Sequence, residues 1–227
     1  MIVYEEIFKK YGLSATQQEI IKLTGKDKVV LEIGPSSGYM TKAFLQNNCL
    51  VDVVEVSKPA LEKLPNKIRK IINYSIEDER IEKFLARDYD FIIMADVLEH
   101  LINPDKALKI LYKIATIQTK LLISLPNIAC WAMRKQLFFK GGFEYQDSGL
   151  LDRTHLHFYT VTTLPKLLSE SRWKTAVIMG TIVRFPFEET INKIPFLGWI
   201  FKTFLYKNLA NKYKNLSYYH FLTLAHK

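Results

Sequence analysis

The sequence is poor in cysteine and has no long apolar run, and each of these absences excludes a class of protein. Two cysteines in 227 residues cannot build a disulfide framework, which indicates a reducing compartment. No uninterrupted apolar stretch reaches the roughly 20 residues of a membrane span. The first ten residues, MIVYEEIFKK, contain acids and lack the apolar centre of a secretory signal. We therefore expect a soluble, cytoplasmic protein.

Internal repeats, low-complexity tracts and flexible linkers are also missing from the sequence. With 48% hydrophobic residues, a chain of this length can bury one full core. We therefore predict a single domain over residues 1–227.

Short apolar runs alternate with segments of helical periodicity along most of the chain. Five runs bounded by turn residues predict strands at 28–33, 50–56, 68–74, 89–95 and 120–125. The segments between them predict helices at 37–47, 57–64, 77–88 and 103–115. Two further strands are predicted at 173–183 and 217–226. This alternation is typical of an α/β fold, in which a parallel, doubly wound sheet carries helices on both faces.

The segments that flank this core are predicted from local signals. Ser14 and Gln17 form a capping-box pattern, which predicts a short helix ending near Gly25 within a helical cover over residues 1–26. Residues 27–127 make up the core, and residues 128–160 show no clear period. We interpret 128–160 as a long excursion over the strand ends, followed by a helix at 162–170.

The loop after the first strand, GPSSG, consists of small residues between a strand and a helix. Ligands of doubly wound sheets bind at the carboxyl ends of the strands, where such a loop is expected to offer its backbone N–H groups. A dinucleotide site requires a third glycine, but Tyr39 occupies that position, which makes nicotinamide binding a poor match. Instead, an acid followed by alternating small residues (Glu32, Gly34, Ser36, Gly38) resembles motif I of the class I S-adenosylmethionine-dependent methyltransferases.

Two further elements strengthen this resemblance. Glu55 closes the second strand, where a carboxylate can accept hydrogen bonds from both hydroxyls of a ribose. The sequence DVLEHL (96–101) follows the fourth strand and resembles motif IV of many small-molecule methyltransferases, including quinone O-methyltransferases. In this family an aspartate often follows the third strand, near the adenine; here Ser75 takes that place, or Glu77 and Asp78 serve from the next turn.

The resemblance implies a Rossmann-like, seven-stranded sheet with an antiparallel last strand and a helical insert before that strand. It implies S-adenosylmethionine as the cofactor, with S-adenosylhomocysteine as the product, and no metal site. The residues that it assigns to cofactor binding are Glu32, Gly34, Pro35, Ser36, Gly38, Glu55, Val56, Ser75, Ile76, Asp96 and Val97.

The acceptor side is predicted in the excursion after the fifth strand. Its sequence GGFEYQDSGLLDRTHLHFYT (141–160) resembles a subgroup of bacterial methyltransferases associated with the synthesis of surface polysaccharides and glycolipids. The residues predicted to bind the acceptor are Asn127, Trp131, Arg134, Tyr145, Arg153 and His157.

A general base is predicted in the same excursion. Histidine suits this role because its pKa lies near working pH. We favour His155, with Asp152 orienting it or binding, and take His100 as a weaker candidate. Catalysis by proximity alone, without a base, is the alternative.

The segment 184–216, between the last two strands, is both apolar and basic. From Thr190 onward the chain has six lysines and no acid, and the whole chain carries a net charge of +9. Residues 191–214 are interpreted in two ways: as a helix lying on the anionic inner face of a membrane, or as an insert that packs on the sheet or forms a homodimer interface.

The leading hypothesis is in-line methyl transfer to a hydroxyl of a small-molecule or lipid-linked sugar acceptor. A small metabolite or a quinone is the alternative acceptor. A non-catalytic, cofactor-binding partner or scaffold protein is the alternative outside the enzyme class. We do not expect a nucleic-acid acceptor, because the NPPY-like motif of many nucleobase N-methyltransferases does not follow the fourth strand.

Overall fold

The computed structural model describes residues 10–182 and 206–227, and its centre is a seven-stranded sheet. The strands are β1 (Val29–Ile33), β2 (Leu50–Val54), β3 (Lys70–Ile72), β4 (Phe91–Ala95), β5 (Lys120–Pro126), β6 (Lys174–Ile182) and β7 (Tyr218–His226). Their order is β3-β2-β1-β4-β5-β7-β6. The first five strands pair in parallel, and β7 is antiparallel to both of its neighbours. The predicted doubly wound sheet with an antiparallel last strand is therefore confirmed.

The described helices lie between the strands. They are α1 (Ala15–Thr24), α2 (Tyr39–Gln46), α3 (Lys58–Leu61), α4 (Pro104–Ile114), α5 (Trp131–Lys140), α6 (Thr163–Glu170), α7 (Tyr206–Lys212) and α8 (Lys214–Ser217). Short 3₁₀ turns form at Glu79–Lys83 and Leu98–His100. None of the helices described in 10–182 and 206–227 is long and apolar enough to cross a bilayer.

The sheet separates two apolar clusters, because its central strands are apolar on both faces. In β4, Ile92 and Met94 belong to the cluster that packs against α4 and α6. Phe91 and Ile93, which alternate with them, belong to the cluster that packs against α1 and α2. Successive side chains of a strand point to opposite faces, so a run such as FIIM requires cover on both sides. The predicted helices on both faces are confirmed.

Two predicted helices differ from the structure. The charged segment 77–88 forms only the 3₁₀ turn Glu79–Lys83, which Asp78 caps by accepting from the N–H of Arg80. Conversely, α5 lies within the excursion for which no helix was predicted. Its apolar residues Leu137, Phe138 and Phe139 are exposed, so it lacks the one-sided apolar pattern that reveals a helix in sequence.

The predicted capping box at Ser14 and Gln17 is present, and Pro104 begins α4 as predicted. Of the insert predicted over 184–216, residues 184–205 lie outside the described residues, while the remainder forms α7 and α8. The role assigned to the insert stays a prediction.

Asn127 joins the end of β5 to the start of β7. It has no exposed surface, and its side-chain amide donates to the carbonyl oxygens of Asn215 (3.0 Å) and Tyr218 (2.7 Å). Its side-chain oxygen accepts from the N–H of Ala129 at 3.1 Å. These three bonds fix the antiparallel strand at the edge where the parallel strands end.

Replacing Asn127 with alanine should destabilise the protein by about 2–4 kcal/mol, because two buried carbonyl oxygens lose their donor. Urea unfolding followed by circular dichroism measures the change. Asn66→Ala, at an exposed position before β3, is the control and should stay within about 0.5 kcal/mol of the parent. Equal stability of the two variants would contradict the role given to Asn127.

Candidate active site

The β1–α2 loop turns sharply because three of its residues adopt left-handed backbone conformations. Gly34, Ser36 and Gly38 have φ values of 66°, 51° and 71°. A Cβ on Gly34 would lie 2.8 Å from a methyl carbon of Val97, and one on Gly38 would lie 2.8 Å from Pro65. Glycine is therefore required at both positions, and Ser36 keeps a glycine-like conformation at the position where the family usually has glycine.

The loop uses its N–H groups differently from the expectation. The N–H of Gly34 donates to Val54, that of Gly38 donates to Pro35, and that of Ser36 donates to Oε2 of Glu55 at 3.2 Å. These three donors are therefore satisfied within the protein and do not await a ligand. The loop contributes close approach of its backbone instead.

Glu55 holds the ends of β1 and β2 together. Besides the bond from Ser36, its Oε1 accepts from the N–H of Ser57 at 2.8 Å. A carboxylate has about four acceptor positions, so two stay available on this group. Val56 beside it is 63% exposed, so the strand end faces an open surface.

Glu32 lies beneath the loop. It is buried, and its Oε2 accepts from the hydroxyl of Thr41 on α2 at 2.6 Å. Burial raises the pKa of Glu32 to about 7, while the bond from Thr41 acts in the opposite direction. Pro35 is buried in the loop above it.

The loop after β3 is the predicted adenine side. The hydroxyl of Ser75 accepts from the N–H of Glu77 at 3.2 Å, which closes a tight turn. Ile76 is buried in the core, and Asp78 pairs with Arg80. Of the three polar candidates for this side, Asp78 is therefore already committed to a cation.

Asp96 follows β4 in a left-handed conformation with φ 55°, which is unusual for a residue with a side chain. Its Oδ1 accepts from the hydroxyl of Ser124 at 3.1 Å and lies 2.7 Å from Nε2 of His220. The side chain of Asp96 is 39% exposed. Among the described residues its Oδ2 has no donor, so this oxygen can accept from a bound molecule.

Sequence reasoning missed His220. This residue lies on β7 opposite Pro126 of β5, and only the antiparallel pairing of these strands brings it to Asp96. The strict alternation of the last strand was visible in the sequence, but the edge that its first residues reach was not.

The three predicted catalytic residues lie together below this edge. His155 is only 6% exposed, and its ring centroid lies 4.9 Å from that of His100. Burial, and secondarily the neighbouring His100, lowers the pKa of His155. Oδ1 of Asp152 accepts from the N–H (2.8 Å) and the hydroxyl (2.6 Å) of Thr154, so Asp152 shapes the turn that carries His155.

Sequence comparison identifies the family. A family model described as a methyltransferase domain matches residues 5–174, which is most of the chain. This chain belongs to that methyltransferase family.

Relatives and solved structures agree with this assignment. The ubiquinone biosynthesis O-methyltransferase of Coxiella burnetii is 28% identical over 91 residues, a span of only 39% of this chain and 39% of that enzyme. Among solved structures, an S-adenosylmethionine-dependent methyltransferase from Archaeoglobus fulgidus has a TM-score of 0.68 at 16% identity and 99% coverage of both chains.

A second solved structure contains a bound product. The 1,6-didemethyltoxoflavin N1-methyltransferase of Burkholderia thailandensis, with S-adenosylhomocysteine bound, has a TM-score of 0.57 at 12% identity, covering 99% of this chain and 83% of that one. At these identities the structures show a shared fold, that of the S-adenosylmethionine-dependent methyltransferases.

The strand ends of this methyltransferase fit S-adenosylmethionine. The spare acceptor capacity of Glu55 suits the two ribose hydroxyls, and Gly34 and Gly38 let the loop lie close to a ligand. Glu32 and Ile76, both predicted to bind the cofactor, are buried beneath this surface and support it from below.

The predicted acceptor residues of the methyltransferase fall into two groups. Asn127 is buried and fully used in bonds to the backbone, so its predicted direct contact with an acceptor is wrong. The others lie at or near the surface: Tyr145 and Arg153 are exposed, Trp131 and His157 are half-buried, and Arg134 donates to the carbonyl of Ala129. Arg153 pairs with Asp147 at 2.9 Å, and His157 approaches the carbonyl of Ile102 at 3.4 Å.

Replacing Glu55 with glutamine should weaken S-adenosylmethionine binding about 10- to 100-fold, because one acceptor oxygen and the charge of this group are lost. Titration calorimetry measures the affinity. Glu62→Gln, at an exposed site near the end of α3, is the matched control and should bind like the parent. Unchanged affinity in Glu55→Gln would refute the ribose assignment.

Glu32 should make stability depend on pH. Its folded-state pKa of about 7 lies above the usual 4.5, so the folded state keeps a proton that the unfolded chain has already released. Stability should therefore fall as pH rises from about 4.5 through 7. Between pH 5 and 8, the cofactor-free parent should lose about 2–3 kcal/mol relative to Glu32→Gln, as measured by urea unfolding. Parallel pH profiles of the two proteins would contradict this.

Proposed function

We propose that this methyltransferase transfers a methyl group from S-adenosylmethionine to a hydroxyl of a sugar or glycolipid precursor. The observation that carries the proposal is Asp96. This carboxylate lies at the carboxyl end of β4, has one oxygen without a donor among the described residues, and directly precedes Val97, which packs against Gly34 of the cofactor loop.

The geometry makes Asp96 the better base for a hydroxyl acceptor. Ser124 and His220 both bond to Oδ1, so the carboxylate is held in one orientation and Oδ2 is directed away from them. His155, the base favoured from sequence, is buried, and its Nδ1 bonds to the carbonyl of Leu150. A base must lie within hydrogen-bond reach of the proton that it takes, and Asp96 is the more accessible of the two.

The reaction needs little more than alignment and proton removal. S-adenosylmethionine supplies, when bound, a methyl group that is already activated for displacement. Oδ2 of Asp96 accepts the hydrogen bond of the acceptor hydroxyl and takes its proton as transfer proceeds. His220 and Ser124 stabilise the orientation of the carboxylate through Oδ1, and the strained backbone of Asp96 fixes its direction.

The surface beside this edge supports an acceptor with both sugar and lipid character. Helix α5 and the loop after it expose a group of large apolar side chains: Leu137, Phe138, Phe139, Phe143 and Tyr145. Lys135 and Lys140 lie on the same helix, and Arg153 lies on the excursion. Exposed apolar and basic residues together suit an anionic, lipid-linked molecule. The surface-polysaccharide resemblance of 141–160 points to the same class.

A quinone precursor is the second candidate acceptor, because the Coxiella burnetii relative is a ubiquinone biosynthesis O-methyltransferase. A phenolic hydroxyl also needs only alignment and proton removal. The same site therefore serves both candidates, and the acceptor assay separates them.

Asp96→Asn should lower methyl transfer by about 10²- to 10⁴-fold, the usual contribution of a general base. Asparagine tolerates the left-handed backbone and fills the same volume, so the fold should persist. The assay follows labelled methyl from S-adenosylmethionine into lipid-linked sugars and, separately, into catechol-type quinone precursors.

Asp88→Asn, at an exposed site near β3, is the control and should keep full activity. Transfer to sugar acceptors that depends on Asp96 supports the proposal. Transfer confined to catechols would replace the sugar with the second candidate. Tight cofactor binding with transfer to neither class would favour a non-catalytic cofactor-binding protein.

A further inference from the structure

A buried polar cluster lies below the catalytic edge and has no role in the steps described above. Glu99, His100 and His155 form it, and their potential ligand atoms all lie within 4.8 Å of one another. Glu99 is 1% exposed, and neither of its carboxylate oxygens has a hydrogen-bond partner among the described residues. A buried carboxylate without a partner is costly, so this group calls for an explanation.

Both histidines are oriented in the way that metal-binding histidines are. Nδ1 of His100 lies 3.1 Å from the carbonyl oxygen of Thr154, and Nδ1 of His155 lies 3.3 Å from that of Leu150. A carbonyl oxygen only accepts, so each Nδ1 carries the proton and donates it. Each Nε2 then keeps a lone pair, and a backbone carbonyl behind a histidine is a common second partner in metal sites.

The cluster is assembled by two segments that bond to each other. Glu99 and His100 lie on the 3₁₀ turn after β4, whereas His155 lies on the excursion. The N–H groups of Leu156 and His157 both donate to the carbonyl oxygen of Glu99, at 2.8 and 3.1 Å. The three side chains are thus held near one another by the backbone rather than by contacts of their own.

We propose that Glu99, His100 and His155 bind a divalent first-row transition-metal ion. Two imidazoles and one carboxylate suit zinc, manganese or iron better than magnesium or calcium, which prefer oxygen ligands. Bonds of about 2.0–2.2 Å hold neighbouring ligands roughly 3–3.5 Å apart, so the side chains need to move inward by about 1 Å.

Three protein ligands leave open positions on such an ion. A hydroxyl oxygen bound at one of them becomes more acidic, and its proton passes to Asp96. This use of the ion rests on the proposed function, whereas binding of the ion does not.

The test uses tag-free, full-length protein that has been treated with a chelator and desalted. Titration calorimetry with Zn²⁺, and electron paramagnetic resonance with Mn²⁺, should each show about one ion per chain. Mg²⁺ should bind at least tenfold more weakly. Saturating Zn²⁺ should also raise the melting temperature of the parent.

Glu99→Gln and His155→Gln should each weaken ion binding at least tenfold. His226→Gln, at the exposed far end of β7, is the matched control and should leave it unchanged. S-adenosylmethionine titration of each variant reports independently whether the fold and the cofactor site persist.

Loss of ion binding in both cluster variants, with cofactor binding retained, supports the site. Absence of binding in the parent, or equal binding in all variants, overturns it. Ion binding without any cofactor binding would leave the metal site standing and remove the proposed function instead. Cofactor binding without ion binding would do the reverse.

Discussion

The parallel pairing of the first five strands is the constraint on which the site depends. Because these strands run in one direction, their carboxyl ends meet at a single edge and bring Gly34, Glu55 and Asp96 together from distant parts of the sequence. The antiparallel β7 begins at that same edge, so its first residues, His220 among them, reach the site. Asn127 secures the junction by bonding the end of β5 to the start of β7.

Buried polar groups divide the labour around this edge. Glu55 and Asp96 each use part of their hydrogen-bonding capacity on the protein and keep the rest for ligands, which fixes their orientation before anything binds. Glu32 is fully enclosed and supports the loop from below through Thr41. Glu99 is also enclosed but lacks a partner among the described residues, and this difference separates a supporting acid from a candidate ligand.

Sequence was sufficient for the parts of the structure that follow from periodicity and local chemistry. Continuous apolar strands, the capping box at Ser14 and the glycines after β1 each express a local requirement, so the sheet and the cofactor loop could be predicted. Helix α5 could not, because its exposed Phe138 and Phe139 hide the usual pattern. The pairing of His220 with Asp96 and the burial of His155 arise from contacts between distant segments, which no local pattern encodes. The same applies to Asn127, whose polar side chain suggested an acceptor contact but is consumed by the backbone.

The most direct test of the account is a calorimetric titration of the unmodified protein with S-adenosylmethionine, with NAD as the comparison. The account predicts saturable binding of one S-adenosylmethionine per chain and no saturable heat with NAD, because the glycine spacing of the loop does not suit a dinucleotide. Binding of NAD without binding of S-adenosylmethionine would contradict the assignment of this edge, and with it the function proposed for Asp96.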